Sequence, residues 1–183
     1  MRLVQAVALT LSCICSFQAH YCEGKPKHQL YHETSDVGKV FASFTHVLSI
    51  ADVDKDGDLD CLAAVRTDYD KSIPRATYVW MLPGLNGREP INISYVGVQG
   101  ESPDEVRFWD QNGDGTAETA RYVYTDYKEC LIADLYERKE CMLWTSWEVK
   151  DHVSQECWDQ FEDNCEDAHM SYDEDTCRPF FNF

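Results

Sequence analysis

The sequence predicts an all-β domain: eight antiparallel strands closed into a barrel, with a short N-terminal helix and a C-terminal α-helix packed outside. Three observations carry this expectation. From Thr45 to Val149, short runs rich in Val, Ile, Tyr, Trp and Thr alternate with turn clusters, the spacing of an antiparallel meander. After that the apolar and cysteine positions Val153, Cys157, Phe161 and Cys165 recur every four residues, as on one face of a helix. A meander with exposed edges invites aggregation, and closure removes those edges.

The strands are expected at Thr45–Ala51, Leu59–Thr67, Arg75–Pro83, Pro90–Gln99, Asp104–Asp110, Ala117–Thr125, Glu129–Tyr136 and Cys141–Val149. Lys55-Asp56-Gly57-Asp58, Pro83-Gly84-Leu85-Asn86-Gly87, Gly100-Glu101-Ser102-Pro103 and Asn112-Gly113-Asp114-Gly115 separate some of them. These residues accept positive φ or preset a bend, so consecutive strands should pair as neighbours. For the closing helix, Ser154 is the expected N-cap and Glu156 lies in the first turn. An eight-stranded barrel is wide enough to hold one small ligand. A β-sandwich satisfies the same strand pattern.

Composition narrows the setting. The first nineteen residues carry one basic residue, Arg2, then an apolar run from Leu3 to Ile14, and end in the small Ala19. That is the pattern of a secretory leader over residues 1–19, leaving a single domain over residues 20–183. No later run is apolar for long enough to cross a bilayer. Loss of Arg2 takes the formal net charge from −17 to −18, which argues against nucleic acid or anionic lipid as a partner. Of the nine cysteines, seven follow the leader. At that density a secreted chain forms disulfides, and the odd number leaves one thiol over.

The stretch Tyr124-Thr125-Asp126-Tyr127-Lys128-Glu129-Cys130-Leu131-Ile132, then Glu140-Cys141-Met142-Leu143-Trp144, then Cys157 to Phe161 and Cys165, resembles the tick salivary lipocalins called histamine-binding proteins. The weight lies in the ordered cysteines around a Leu-Trp strand and a C-terminal helix. The resemblance implies an eight-stranded lipocalin barrel, secretion into a host, and sequestration of small host mediators. It also implies the pairs Cys61 with Cys177, Cys130 with Cys157, and Cys141 with Cys165. Cys157 and Cys165 lie two turns apart on one helix face, so both can reach strands beneath it. Cys22 is then the odd residue, a thiol on the amino terminus or the link of a disulfide dimer.

The amine-binding members of that family carry an acidic residue after the cysteine of the penultimate strand and a Glu two residues before the Trp of the last. Here those places hold Leu131 and Met142. Met142 and Trp144 share a strand face, so a thioether stands where the family has a cavity carboxylate. An ammonium buried without a counter-charge costs several kcal/mol. An amine pocket in this chain must therefore take its carboxylate from elsewhere, and Asp36, Asp52, Glu105, Glu118 and Asp134 are the candidates.

Tyr78, Trp80, Tyr95, Phe108, Trp109, Tyr122, Tyr124, Trp144 and Trp147 are interleaved along the expected strands. For any one of them ordinary core packing is the plainer role. As a group they suit a flat cation held by π faces, or equally a sterol or fatty chain. The ligand contacts expected from this pattern are Tyr78, Trp80, Phe108, Trp109, Tyr124, Met142 and Trp144, with Asp36 and Glu105 as carboxylates.

Asp52-Val53-Asp54-Lys55-Asp56-Gly57-Asp58-Leu59-Asp60 begins like a calcium loop, but Ala63 stands where an EF-hand needs its bidentate Glu. Asp110-Gln111-Asn112-Gly113-Asp114-Gly115 is a weaker echo. Polar hairpin turns explain both, and no metal site is assigned. The six His residues show no zinc spacing, and nucleophile elbows and phosphate-binding Gly loops are absent from the sequence. No catalytic residue, enzyme activity or cofactor is expected. Asn92-Ile93-Ser94 is a glycosylation sequon.

The function expected is that of a secreted lipocalin holding a biogenic amine such as histamine or serotonin. One rival keeps the barrel and changes the cargo to a lipid, sterol or leukotriene. Another is an immune modulator whose acidic exterior binds a host protein.

Overall fold

The expected hairpins form, and they close. In the computed structural model, which describes residues 30–53, 55–165 and 168–181, eight strands run in sequence. They are β1 (His46–Asp52), β2 (Ala63–Asp70), β3 (Arg75–Leu82), β4 (Ile91–Gln99), β5 (Glu105–Asp110), β6 (Glu118–Thr125), β7 (Cys130–Leu135) and β8 (Glu140–Ser146). Each is antiparallel to the next, and β8 returns to β1 with Thr145 opposite Leu48. Because β1 also pairs with β2, Val47 opposite Ala64, the sheet is a closed barrel and not a sandwich. The leader 1–19, Cys22 and Asp54 lie outside the described residues.

Turn chemistry sets the hairpins. Gly84 has φ +77°, and a Cβ there would stand 2.4 Å from the Pro90 nitrogen, so the β3–β4 connection requires glycine. In the β6–β7 turn Asp126 accepts from the backbone N–H groups of Lys128, Glu129 and Cys130. The acidic loops behave likewise: Asp56 accepts from the Asp58 N–H, Asp110 from Asn112 and Asp114 from Thr116. Their carboxylates thus serve their own turns. Among the described residues no three His, Cys, Asp or Glu side chains stand close enough to share a metal ion.

Most strand ends lie within a residue of expectation, but β2 and β8 differ by more, and β2 runs on past Thr67 to Asp70. The run from Leu59 does not pair until Ala63, because residues 59–62 turn back, with the Leu62 N–H on the Leu59 carbonyl and Cys61 at φ +59°. The edge of β1 left open there is taken by a two-residue strand, β9 (His169–Met170), Met170 opposite Ala51. So short a strand has no period to read. At the other end β8 stops at Ser146, and Trp147–Val149 form a 3-10 turn.

Helix α1 (Val37–Ser43) is capped by Asp36, whose side chain accepts from the Lys39 N–H at 2.9 Å. Its apolar face, Val37, Val40 and Phe41, is buried and plugs one end of the barrel. Helix α2 (Gln155–Asn164) has the expected Ser154 N-cap and lays Cys157 and Phe161 on the barrel's outer wall. Val153 precedes its cap and Cys165 ends it. Disulfides Cys130–Cys157 and Cys141–Cys165 staple α2 to β7 and β8, and Cys61–Cys177 ties the β1–β2 connection to the short α3 (Glu174–Cys177). These are the pairs the family resemblance implies. The apolar core is therefore double, one cluster inside the barrel and one beneath α2.

Candidate functional site: the barrel cavity

Alternation along the strands decides what faces inward. Tyr78 and Trp80 of β3, Tyr95 and Gly97 of β4, and Val106 and Phe108 of β5 line one side of an internal cavity of about 100 Å³. Ala120 and Tyr122 of β6, Leu131, Ala133 and Leu135 of β7, and Trp144 of β8 line the other. Val40, Phe41 and Phe44 on and just after α1 form its floor. Small residues among the large ones leave the space: a Cβ at Gly97 would already be 3.1 Å from the Phe41 ring.

The floor is sealed. The Tyr78 hydroxyl donates to the Phe44 carbonyl at 2.8 Å, and Phe41 meets Tyr78 and Tyr122 at ring distances of 6.2 and 6.5 Å. Burial pushes the hydroxyls of Tyr78 and Tyr122 far above the usual tyrosine range, so both remain neutral.

The opposite end is the mouth, where β3, β5 and β7 finish and β4, β6 and β8 begin. Here Trp80 stands edge-on to Tyr95 at 4.9 Å and tilted against Trp144 at 5.3 Å, and Tyr95 meets Phe108 at 5.6 Å. One cation and one carboxylate join these rings. Arg138, on the β7–β8 turn, lies with its guanidinium 5.9 Å from the Trp80 ring centre, 5.4 Å from Tyr95 and 5.7 Å from Phe108. Its Nε and Nη2 donate to the two carboxylate oxygens of Glu118 at 2.6 and 2.7 Å, and Nη2 also donates to the Tyr95 hydroxyl at 3.0 Å. That is the bidentate geometry of a strong charge-assisted pair. The hydrogen bond from Arg138 holds the Glu118 carboxyl below its usual range despite partial burial, and the same bond raises the guanidinium.

Of the expected contacts, Tyr78, Trp80, Phe108 and Trp144 come together on the cavity wall. Met142 is fully buried in the inner cluster, on the face it shares with Trp144, but behind the wall. Four candidates stand elsewhere. Trp109 alternates outward from Phe108. Tyr124 is turned out by the bulge between Tyr122 and Tyr124 and donates to Glu156 of α2 at 3.1 Å, with its hydroxyl pushed up to about 12 by burial. Asp36 caps α1, and Glu105 accepts from the Glu101 N–H to close the β4–β5 turn.

Among the other carboxylates, Asp52 is buried opposite His169, and Asp134 lies across from Arg121 on the outer face. Glu118 shares the inward phase of Ala120 and Tyr122 and sits at the mouth. Sequence reasoning missed Arg138, because nothing in its spacing marks a turn arginine that folds back over a barrel. The short N-terminal helix is expected from the sequence and forms as α1, but its place as the floor of the cavity, through Val40, Phe41 and Phe44, is not read there.

Against known proteins, the family model described as tick histamine-binding protein matches residues 93–179. Residues 93–179 of this chain are therefore similar to the tick histamine-binding protein family. No curated protein matches this chain in sequence. In structure it is similar to an AM182 serotonin complex, at 13% identity and a TM-score of 0.60, over 79% of this chain and 94% of that one. Japanin from Rhipicephalus appendiculatus bound to cholesterol aligns at 12% identity and a TM-score of 0.51, covering 69% and 90%. Insecticyanin from the tobacco hornworm Manduca sexta aligns at 14% and 0.52, covering 83% and 90%. At these identities the three likenesses speak for the fold alone.

Proposed function

We propose that this lipocalin is secreted and sequesters a small aromatic amine, histamine or serotonin first, with the ring inside the barrel and the ammonium at the mouth. The observation that carries this reading is the mouth itself. Glu118 is the inward-facing carboxylate beside the rings of Trp80, Tyr95 and Phe108, and those rings already surround a cation. The place of the family's missing carboxylate, lost at Leu131 and Met142, is thereby supplied from β6.

Size and field agree. A cavity of about 100 Å³ is well under the roughly 300–1,000 Å³ of pockets for drug-sized ligands, which suits a one- or two-ring amine better than a sterol. Asp56, Asp58, Asp60 and Asp114 lie on loops at the mouth end and Asp110 ends β5 there, a sign that draws cations inward. The leader over residues 1–19 and three disulfides support an extracellular setting.

A second reading keeps the barrel and changes the cargo to an apolar lipid, sterol or leukotriene. It is favoured by the wall, in which the lining residues include no carboxylate, lysine or arginine. Calorimetric titration of histamine and serotonin into the purified protein separates the two. Saturable one-to-one binding supports the amine. Absence of heat at millimolar amine, with no displacement of a bound lipid, overturns it.

A further inference from the structure

Arg138 is an unusual turn residue. The β7–β8 turn (residues 136–139) closes with the Arg138 N–H on the Leu135 carbonyl and Lys139 at φ +57°. A long cationic side chain on such a turn normally extends into water. This one folds back over the mouth, with its side chain only 31% exposed, and takes both oxygens of Glu118, the Tyr95 hydroxyl and three ring faces. Every feature that would recognise a ligand's ammonium is engaged by the protein's own guanidinium.

We propose that Arg138 is a tethered competitor for the cation position of this barrel: an incoming ammonium binds by displacing the guanidinium from Glu118 and from the cage of Trp80, Tyr95 and Phe108. The proposal rests on the amine reading and adds the residue that sets its threshold. A neutral ring entering the cavity below the cage gains apolar contact and leaves the pair intact. A cation must exchange one charge-assisted pair for another, so its affinity is reduced by what the internal pair contributes. Arg138 is planar and bidentate, which makes it a stronger occupant than a lysine would be at that position. With Glu118 26% exposed, the pair is close enough to solvent for the guanidinium to swing out on its turn.

The test compares wild type with Arg138→Met, which retains length and loses the charge. Serotonin affinity is expected to rise about tenfold, equivalent to about 1.4 kcal/mol, while affinity for neutral indole changes little. Arg138→Lys is expected to fall between the two and keeps the comparison open should the methionine variant not fold. Serotonin binding unchanged or weakened in the folded variants overturns the proposal and leaves the amine reading standing.

A second measurement separates the two ideas from the other side. In Arg138→Ala, methylguanidine should restore the missing group and give a saturable change in tryptophan emission through Trp80, with no such response in wild type. If serotonin binds neither protein but methylguanidine binds the alanine variant, the amine cargo fails and the cage assignment holds. If a folded alanine variant gives no saturable response, the assignment of the cage to Arg138 is wrong.

Discussion

Glu118 and Arg138 sit on the β5–β6 and β7–β8 hairpins, which both turn at the mouth, and neither is meaningful without the other. Glu118 stands opposite Phe108 across the β5–β6 ladder and Arg138 reaches it from the β7–β8 turn, the next one at the mouth. Glu118→Gln retains the shape and removes the charge, leaving a partly buried guanidinium without its anion. After allowance for solvent at the mouth, stability should fall by about 1–2 kcal/mol, read from urea midpoints. Serotonin should lose its counter-ion and bind at least roughly tenfold more weakly. The pH dependence has a definite sign. A carboxyl held below its ordinary value of about 4.3 contributes stability that is fully present above that value and disappears as pH falls through the depressed one. Acid unfolding of the Glu118→Gln variant should therefore show a shallower slope below pH 4 than wild type; identical slopes would mean that the pair does not couple to folding. Glu118 could be placed among five candidate carboxylates from the sequence. Its selection needed knowledge of which face of β6 is inward, which alternation by itself leaves open and which Ala120 and Tyr122 on the cavity wall decide.

At the scale of elements, the floor of the cavity depends on a helix of seven residues, too short to persist alone. The Asp36 cap and the burial of Val37, Val40 and Phe41 hold it in place. Asp36→Ala should cost about 1 kcal/mol and weaken ligand binding as the floor loosens; an unchanged denaturation midpoint would show that the cap contributes nothing. The disulfides offer a graded comparison. In a chain-entropy account, losing Cys141–Cys165, which are 24 residues apart, should cost about 3.5 kcal/mol. Losing Cys61–Cys177, 116 apart, should cost about 5 kcal/mol. Replacing each pair by serine and measuring unfolding in denaturant checks both order and size. Tyr124 shows why an element can mislead: two positions from Tyr122, it should share that residue's face, and one extra residue in the ladder sends it to α2 instead.

For the whole molecule, the barrel separates an inner apolar cluster from an outer one, and the buried tyrosines report on both. Tyr78 and Tyr122 inside and Tyr124 outside all have hydroxyls raised by burial. A raised value means stability present below the ordinary tyrosine range near 10 and lost as pH climbs through the raised values. Spectrophotometric titration should thus show a fraction of the tyrosines ionising only together with alkaline unfolding; smooth ionisation of every tyrosine near pH 10 would contradict their burial. On the exterior, Asn92 is exposed on β4, while its neighbour Ile93 packs against the inner cluster. Expression through a eukaryotic secretory route should add a glycan that Asn92→Gln removes, with amine affinity unchanged because the side chain points away from the cavity. A variant without the mass difference would show that the sequon is unused.

Strand order, the capped outer helix and an aromatic interior were determined by the sequence alone, because alternation, turn residues and the four-residue period are local signals that survive without tertiary contacts. The cysteine pairs followed from family likeness. Closure of β8 onto β1, the turn at residues 59–62 that admits β9, the outward rotation of Tyr124 and the inward fold of Arg138 were decided only in three dimensions. Each joins residues far apart in the chain, or depends on one extra residue in a ladder, and no periodicity within a single strand encodes such a meeting. The cation position of the barrel exists only where the ends of β3, β4, β5 and β6 converge with the turn after β7.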